Sequence, residues 1–569
     1  MNRRACVVLA VALCLLLTVV PSRGDPLGAS RRAALLKAIQ AKENQYDPAE
    51  RMLRRPFSSP GYHTTLKGGM VHPTRESLQY AAALLDTGDA VLIRRGHDIL
   101  RRVIALQDKD PASRTYGIWS WFLEEPLEKM SPPDWNWADF CGTALLQVSL
   151  HHRDSLPEDL RTRVDDAIRH AALSIQRRNV GPGYTNIAIM GTYVTMVAAQ
   201  QYDIPGLGQY ATDRLRRFYD FTMQQGAFSE YNSPTYTVVA LNMLARLRAD
   251  VKDPDARKLI EPLYRMAWEE IATHFHVPTR QWAGPHSRCY STLLNGSVLE
   301  LIRRATDGRV DFGRPADAID LESHRIVAPC PADLEPYFVR LDAPRTVVKT
   351  FIRGQQPVIG TTYLHPQYAI SSVNRGSFWN QQRAVLAYWG TAQNPSYLHV
   401  RVLHDGYDFA AAQVCSAQRE NRVLAGIAIA LDAGDSHPSL DRIRNATIKA
   451  RDLRLRFELN DPATLDAAGL KLSLHVPVAK FDGRDAVRTG HDVILYSGQI
   501  REIRLDSLAE TCVGIGIQIG QGGNGVPPTA TIRDGRLNLE WSGLHVAVPS
   551  RCVKSSDIGR LSSAHADPE

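Results

Sequence analysis

Four short stretches of the chain concentrate side chains that can move a proton or hold an anion. From Gly226 to Tyr236 the sequence GAFSEYNSPTY ends in a Ser-Pro turn that delivers Tyr236 to the start of a helical run. The positive end of a helix dipole and nearby cations favour the phenolate there, so Tyr236 can take and return a proton despite an ordinary pKa of about 10. The plainer reading makes Tyr231 and Tyr236 amphipathic wall residues. From Gly181 to Asn186, GPGYTN breaks one helix and opens another. Asn186 is then either a helix cap or a neutral amide that hydrogen-bonds a carboxylate. The stretch WAGPHSRCY, Trp282 to Tyr290, gathers an imidazole, a guanidinium and a phenol between apolar runs. Arg288 can hold a carboxylate in a fork, and His286 can serve as base or charge neutraliser, or as a structural histidine. In PDWNWAD, Pro133 to Asp139, the residues Trp135, Asn136 and Trp137 follow Tyr116, Trp119 and Trp121. Such a cluster stacks on sugar rings or fills a core.

Positioning these stretches requires helices. From about Arg31 to Ala305 apolar residues recur at helical spacing, as in Glu76 to Leu85, Ala90 to Leu106, Trp137 to His151, Leu160 to Arg177, Asn186 to Gln200, Leu207 to Gln224, Tyr236 to Arg248 and Ala256 to His274. So many antiparallel helices without a fixed repeat suit an incomplete (α/α) toroid better than a simple bundle or a short-repeat solenoid. After Pro331 the pattern changes to strand-like runs: Thr346 to Ile352, Tyr368 to Val373, Ala384 to Tyr388, Val423 to Leu431, Leu453 to Leu459, Asp492 to Tyr496, Cys512 to Ile519 and Leu537 to Trp541. Turn signals such as Asp405-Gly406, Asp482-Gly483 and Asp534-Gly535 predict an antiparallel β-sandwich. The expected division is a signal peptide over 1–24, a toroid catalytic domain over 25–335, a β-sandwich over 336–554 and a polar tail over 555–569. Asp320 to Leu341 is the expected linker.

At 569 residues, 44% hydrophobic and 22% charged, the composition excludes bulk disorder and suits two large domains. Asn2, Arg3 and Arg4 before an apolar run from Val7 to Val20 read as a secretory signal, too short for a membrane span of about 20 residues. The mature chain is expected to be secreted or periplasmic and free of the membrane. The net charge of +7 includes Arg3, Arg4 and Arg23 of that segment, leaving a mild basic excess that fits an acidic ligand and not a nucleic acid. Cys141, Cys289, Cys330, Cys415, Cys512 and Cys552 form no C-x-x-C pair, and the histidines form no zinc motif. Buried thiols are the expectation, although export permits disulfides.

Taken together, the Asn136-Trp137 helix start, the Asn186 helix start and the Glu230-x-x-Ser-Pro-x-Tyr236 element resemble the polysaccharide lyases built on an (α/α) toroid followed by a β-sandwich: the heparinase II/III-like, chondroitin and alginate or glucuronan lyases. Arg375 to Gly390 resembles the part of the sandwich that leans on the toroid. The resemblance implies β-elimination on a uronic-acid polymer, with Asn186 neutralising the carboxylate, Tyr236 protonating the leaving oxygen, and Tyr236 or His286 taking the proton from carbon 5. Ile187 and Tyr231 stand where several relatives carry histidine, which leaves the base open. Trp135, Asn136, Trp137, Glu230, Tyr231 and Tyr290 would line the substrate groove. No catalytic metal or cofactor is implied, and a structural calcium or zinc ion in the sandwich is compatible. An anionic polysaccharide is the expected partner, with unsulfated alginate or glucuronan favoured. The rivals are a glycoside hydrolase, using two carboxylates from Asp134, Asp139 and Glu230, and a non-catalytic glycan-binding protein.

Overall fold

The computed structural model describes residues 29–313, 320–435, 443–521 and 526–567. The expected signal segment lies outside the described residues. The helical spacing becomes α1 (Ala29–Gln40), α2 (Thr74–Asp86), α3 (Ala90–Ile104), α4 (Trp137–His152), α5 (Glu158–Arg178), α6 (Thr185–Gln201), α7 (Leu207–Gln225), α8 (Tyr236–Asp250), α9 (Pro254–Thr273) and α10 (Gly296–Ala305). Helices α2 to α9 form successive hairpins. Their even members, α2, α4, α6 and α8, touch in sequence as an inner row, and α3, α5, α7 and α9 form an outer row. Side-chain character decides the row. Helix α6 is buried continuously from Thr185 to Ala198, whereas α3 buries only the stripe of Gly96, Ile99, Leu100, Val103 and Ile104. A helix apolar all round belongs inside, and a one-sided helix belongs at the surface.

The result is an incomplete (α/α) toroid whose ends are fastened by the segment after α10. Asp86, at the end of α2, accepts hydrogen bonds from His152 of α4 at 2.7 Å and from His324, and it pairs with Arg325. Glu322 accepts from Gln79 of α2 at 2.9 Å and faces Arg246 of α8 at 3.5 Å. Phe338 then packs edge-on against Trp268 of α9. The stretch expected as a linker is therefore a packed strap across the helical ring.

From Arg345 onward the chain is antiparallel β in three layers. The nine-stranded sheet contains Arg345–Ile352, Val358–His365, Tyr368–Val373, Val385–Gly390 and Pro395–His404, and continues into Thr447–Leu459 and Asp492–Arg504. It packs on a six-stranded sheet built around Ala412–Arg419, Arg422–Ile429, Cys512–Gly520 and Lys471–Phe481. The six-stranded sheet also carries a four-stranded sheet on its other face: Thr529–Arg533, Arg536–Trp541, Leu544–Pro549 and Ser563–Ala566. Along Arg422–Ile429, Val423, Ala425 and Ile427 face one core while Leu424 and Ala428 face the other. Burial on both faces explains why that strand reads as an unbroken apolar run. The segment expected as a frayed tail instead supplies a short helix, Ser555–Leu561, and the edge strand Ser563–Ala566, which pairs with Leu544–Pro549. All six cysteines of the described residues are buried free thiols. Among the described residues no helix is long and apolar enough to cross a membrane.

Candidate active site

A cavity of about 910 Å³ opens where the inner helices meet the sandwich. Its helical wall includes Tyr184, Glu230, Tyr231 and Arg288; its β wall includes Arg375, Trp379, Gln382 and Asp435. Three of the four stretches singled out by composition thus supply this wall.

Arg288 is the hub. Its Nη1 donates to Glu230 Oε1 at 2.8 Å, its Nη2 to the Tyr236 hydroxyl at 3.0 Å, and its Nε to Gln381 Oε1 at 2.7 Å. The guanidinium lies 4.4 Å from the Tyr236 ring centroid and 4.9 Å from that of Trp379. These contacts from both halves of the molecule fix its plane, and two of its five N–H donors remain for a ligand. Tyr236 is the first residue of α8. The Ser233 hydroxyl accepts its backbone N–H at 2.8 Å and donates to the Arg288 carbonyl at 2.6 Å, tying phenol and guanidinium together. The Tyr236 and Tyr290 hydroxyls are 2.6 Å apart, and Tyr290 is largely exposed beyond them. Burial pushes the Tyr236 phenol well above its ordinary value; the Arg288 charge opposes the shift, and the hydrogen bond with Tyr290 adds to it. Burial thus favours the phenol at neutral pH, outweighing the expected pull of nearby cations toward the phenolate.

Asn186 does not cap α6. The cap position is Tyr184, and the buried N–H of Asn186, which has no partner within the helix, is met by Glu230 Oε2 from another element at 3.1 Å. A carboxylate at a helix N-terminus is favourable. Burial still raises the Glu230 pKa, with Arg288 and that N–H pulling it back. The Asn186 side-chain carbonyl oxygen is buried without a hydrogen-bond partner among the described residues.

His286 is 2% exposed and does not line the cavity. Its Nδ1 donates to the Asn232 carbonyl at 2.6 Å, which leaves Nε2 as a bare lone pair enclosed in the wall. Burial pushes its pKa down to about 3, so it stays neutral. Sequence reading passed over Asn232, the residue that organises this wall. With a left-handed backbone (φ 42°), Asn232 donates to the carbonyls of Ala283 and Pro285 at 3.0 and 2.9 Å, accepts from the Trp282 indole, and gives its N–H to Glu270. Burial pushes Glu270 up to about 8. Asparagine is among the few side chains that tolerate this backbone, which was the one available signal.

Tyr231 is buried and stacks on Phe351 at 4.1 Å, joining the helical wall to the sandwich. Trp135 and Trp137, like Asn186, Tyr236 and Tyr290, are not among the residues lining the cavity. Trp135 donates to the Arg114 carbonyl at 3.1 Å, while Trp137 donates to Thr74 Oγ1 at 2.9 Å and packs against Trp121. Asn136 reaches the rim, donating to the Tyr184 hydroxyl at 3.3 Å and accepting from Arg178 at 2.7 Å. Of the three carboxylates considered for hydrolysis, only Glu230 lines the cavity. Asp134 accepts from Trp121 and Asn136, and Asp139 is buried within the helices, its pKa pushed up to about 7 by burial. The sandwich adds Trp379 and Tyr407, both donating to Asp435 Oδ2, at 3.1 and 3.3 Å.

Residues 34–301 match the family described as a domain of unknown function (DUF8769). No curated protein matches the chain. Among solved structures the chain is similar to heparinase III at 10% identity and a TM-score of 0.44, covering 93% of this chain and 92% of that one. It is also similar to the Streptomyces coelicolor A3 chondroitin AC lyase, solved with chondroitin sulphate, at 11% identity and a TM-score of 0.42, covering 91% and 84%. A heparan sulfate lyase mutant from Pedobacter heparinus matches at 11% identity and a TM-score of 0.34, covering 95% and 89%. Likeness at this level carries no assignment of reaction or substrate.

Proposed function

We propose that the protein is a polysaccharide lyase that cleaves an unsulfated uronic-acid polymer, such as alginate or glucuronan, by β-elimination. The observation that carries the reading is the Arg288 hub, an anion-binding guanidinium in the cavity wall that donates to the hydroxyl of Tyr236. The proton on carbon 5 of a uronate becomes acidic only when the adjacent carboxylate is neutralised. The two N–H donors of Arg288 that have no partner among the described residues supply that charge, with the nearby Asn186 amide as a supporting dipole. Tyr236, with Tyr290 hydrogen-bonded to it, exchanges the protons. As the phenolate it takes the proton from carbon 5, the C–H electrons form the C4–C5 double bond, the C4–O bond breaks, and the leaving oxygen receives the proton. His286, enclosed and neutral, supports the wall.

The substrate class follows from charge. Among the described residues the cavity wall carries two cations, Arg288 and Arg375, against two acids, Glu230 and Asp435. Sulfated chains call for denser basic clusters than this balance provides. Incubating the protein with alginate, glucuronan, hyaluronan, chondroitin and a heparan sulfate, while following the ultraviolet absorbance of unsaturated uronate, tests the reading. Absorbance is expected with alginate or glucuronan and not with the sulfated polymer; absorbance with the sulfated polymer alone would contradict the proposed class.

A further inference from the structure

The outer face of the four-stranded sheet brings two imidazoles and a carboxylate, none of them lining the cavity, into one cluster. Directly paired positions run across its strands as Thr529, Glu540, His545 and His565. Opposed residues on adjacent antiparallel strands hold their Cβ atoms about 5 Å apart on the same face. His545 and His565 accordingly stack, ring centroids 4.8 Å apart and planes 12° from parallel. Asp567, two residues beyond His565, turns back so that its Oδ2 lies 3.2 Å from His545 Nε2. Its backbone is held on both sides, its N–H donating to the Gly543 carbonyl at 2.8 Å and its carbonyl accepting from Arg419. The ligand atoms of His545, His565 and Asp567 all lie within 4.8 Å of one another.

We infer that His545, His565 and Asp567 form a binding site for a first-row transition-metal dication such as Zn²⁺. Two neutral imidazoles and a carboxylate select such an ion over Ca²⁺ or Mg²⁺, which prefer all-oxygen shells. Three protein donors at a solvent-facing surface leave a fourth position for water. If His545 binds through Nε2, the nitrogen nearest Asp567, its other nitrogen faces Glu540 Oε1 at 3.9 Å, the arrangement in which a carboxylate orients a ligating imidazole. The site joins the edge strand Ser563–Ala566 to Leu544–Pro549, so the ion staples the last strand to the body of the sandwich. This inference is independent of the proposed elimination.

The test is calorimetric titration of the untagged, metal-free full chain with ZnCl₂, alongside His565→Ala and His545→Ala. These positions are on the surface, and matching melting temperatures in chelator show that the variants fold. One zinc equivalent is expected for the wild type, weakened by about tenfold or more in each variant, with Zn²⁺ raising the wild-type melting temperature and Ca²⁺ doing neither. Equal zinc binding in both variants, or no zinc binding by the wild type, would overturn the site and leave a simple His545–Asp567 hydrogen bond.

Discussion

In the proposed elimination Arg288 and Tyr236 divide the chemistry between them, and each makes its own prediction. The Arg288 guanidinium is held in plane by Glu230, Gln381 and Tyr236, a geometry an ammonium cannot reproduce. Arg288→Lys is expected to reduce kcat/KM by about 10²-fold or more while leaving the melting temperature nearly unchanged, as steady-state rates and thermal unfolding would show. Burial raises the Tyr236 pKa, so the phenolate is scarce at neutral pH and its fraction grows about tenfold per pH unit while pH stays below that pKa. With phenolate as the base, kcat/KM should climb through the alkaline range. A flat profile there would assign the base elsewhere.

Asn232 shows what one residue does for an element. It joins the turn before α8 to the loop carrying His286 and Arg288, and through Glu270 to α9. Asn232→Ala strips several buried partners at once and should lower stability by about 3 kcal/mol, measured by denaturant unfolding, with a parallel loss of activity. Element boundaries were largely legible, because periodicity and punctuation are local: the Ser233-Pro234 turn marks the start of α8, and Gly226 marks the end of α7. The strands Val358–His365, Pro395–His404 and Ala412–Arg419 escaped notice because Gly, Thr, Ser, Gln and His blur their alternation. Within the site, Tyr236, Glu230 and Arg288 were legible by type and spacing. Gln381 and Trp379 lie in the stretch expected to lean on the toroid, but their pairing with Arg288, across some ninety residues of chain, was not legible. Nor could sequence show that His286 turns its protonated nitrogen to a backbone carbonyl and buries the other.

At the scale of the whole molecule, the helical ring stays open and is held by the strap at Asp86. Burial would raise the Asp86 carboxyl, but hydrogen bonds from His152 and His324 and the charge of Arg325 outweigh it and hold the pKa below the ordinary range. A carboxylate lowered in this way stabilises the folded state at pH values above its unfolded pKa of about 3.9, and that contribution is lost as pH falls through the folded value. Asp86→Asn leaves buried Arg325 without its charge partner and should cost about 3 kcal/mol at neutral pH. It should also flatten the acid limb of the stability profile below about pH 4, which urea unfolding across pH would reveal.

The ring and the sandwich together hold Arg288 against Tyr236, and the reaction proposed for this pair is elimination rather than hydrolysis. The most direct test is mass spectrometry of the oligosaccharides released from alginate and glucuronan by the wild type and by Tyr236→Phe. Products lighter by one water than hydrolysis would give, with their formation slowed by about 10²- to 10⁴-fold in the variant, are the predicted result. Hydrated products from the wild type, or unsaturated products formed at full rate by Tyr236→Phe, would contradict it.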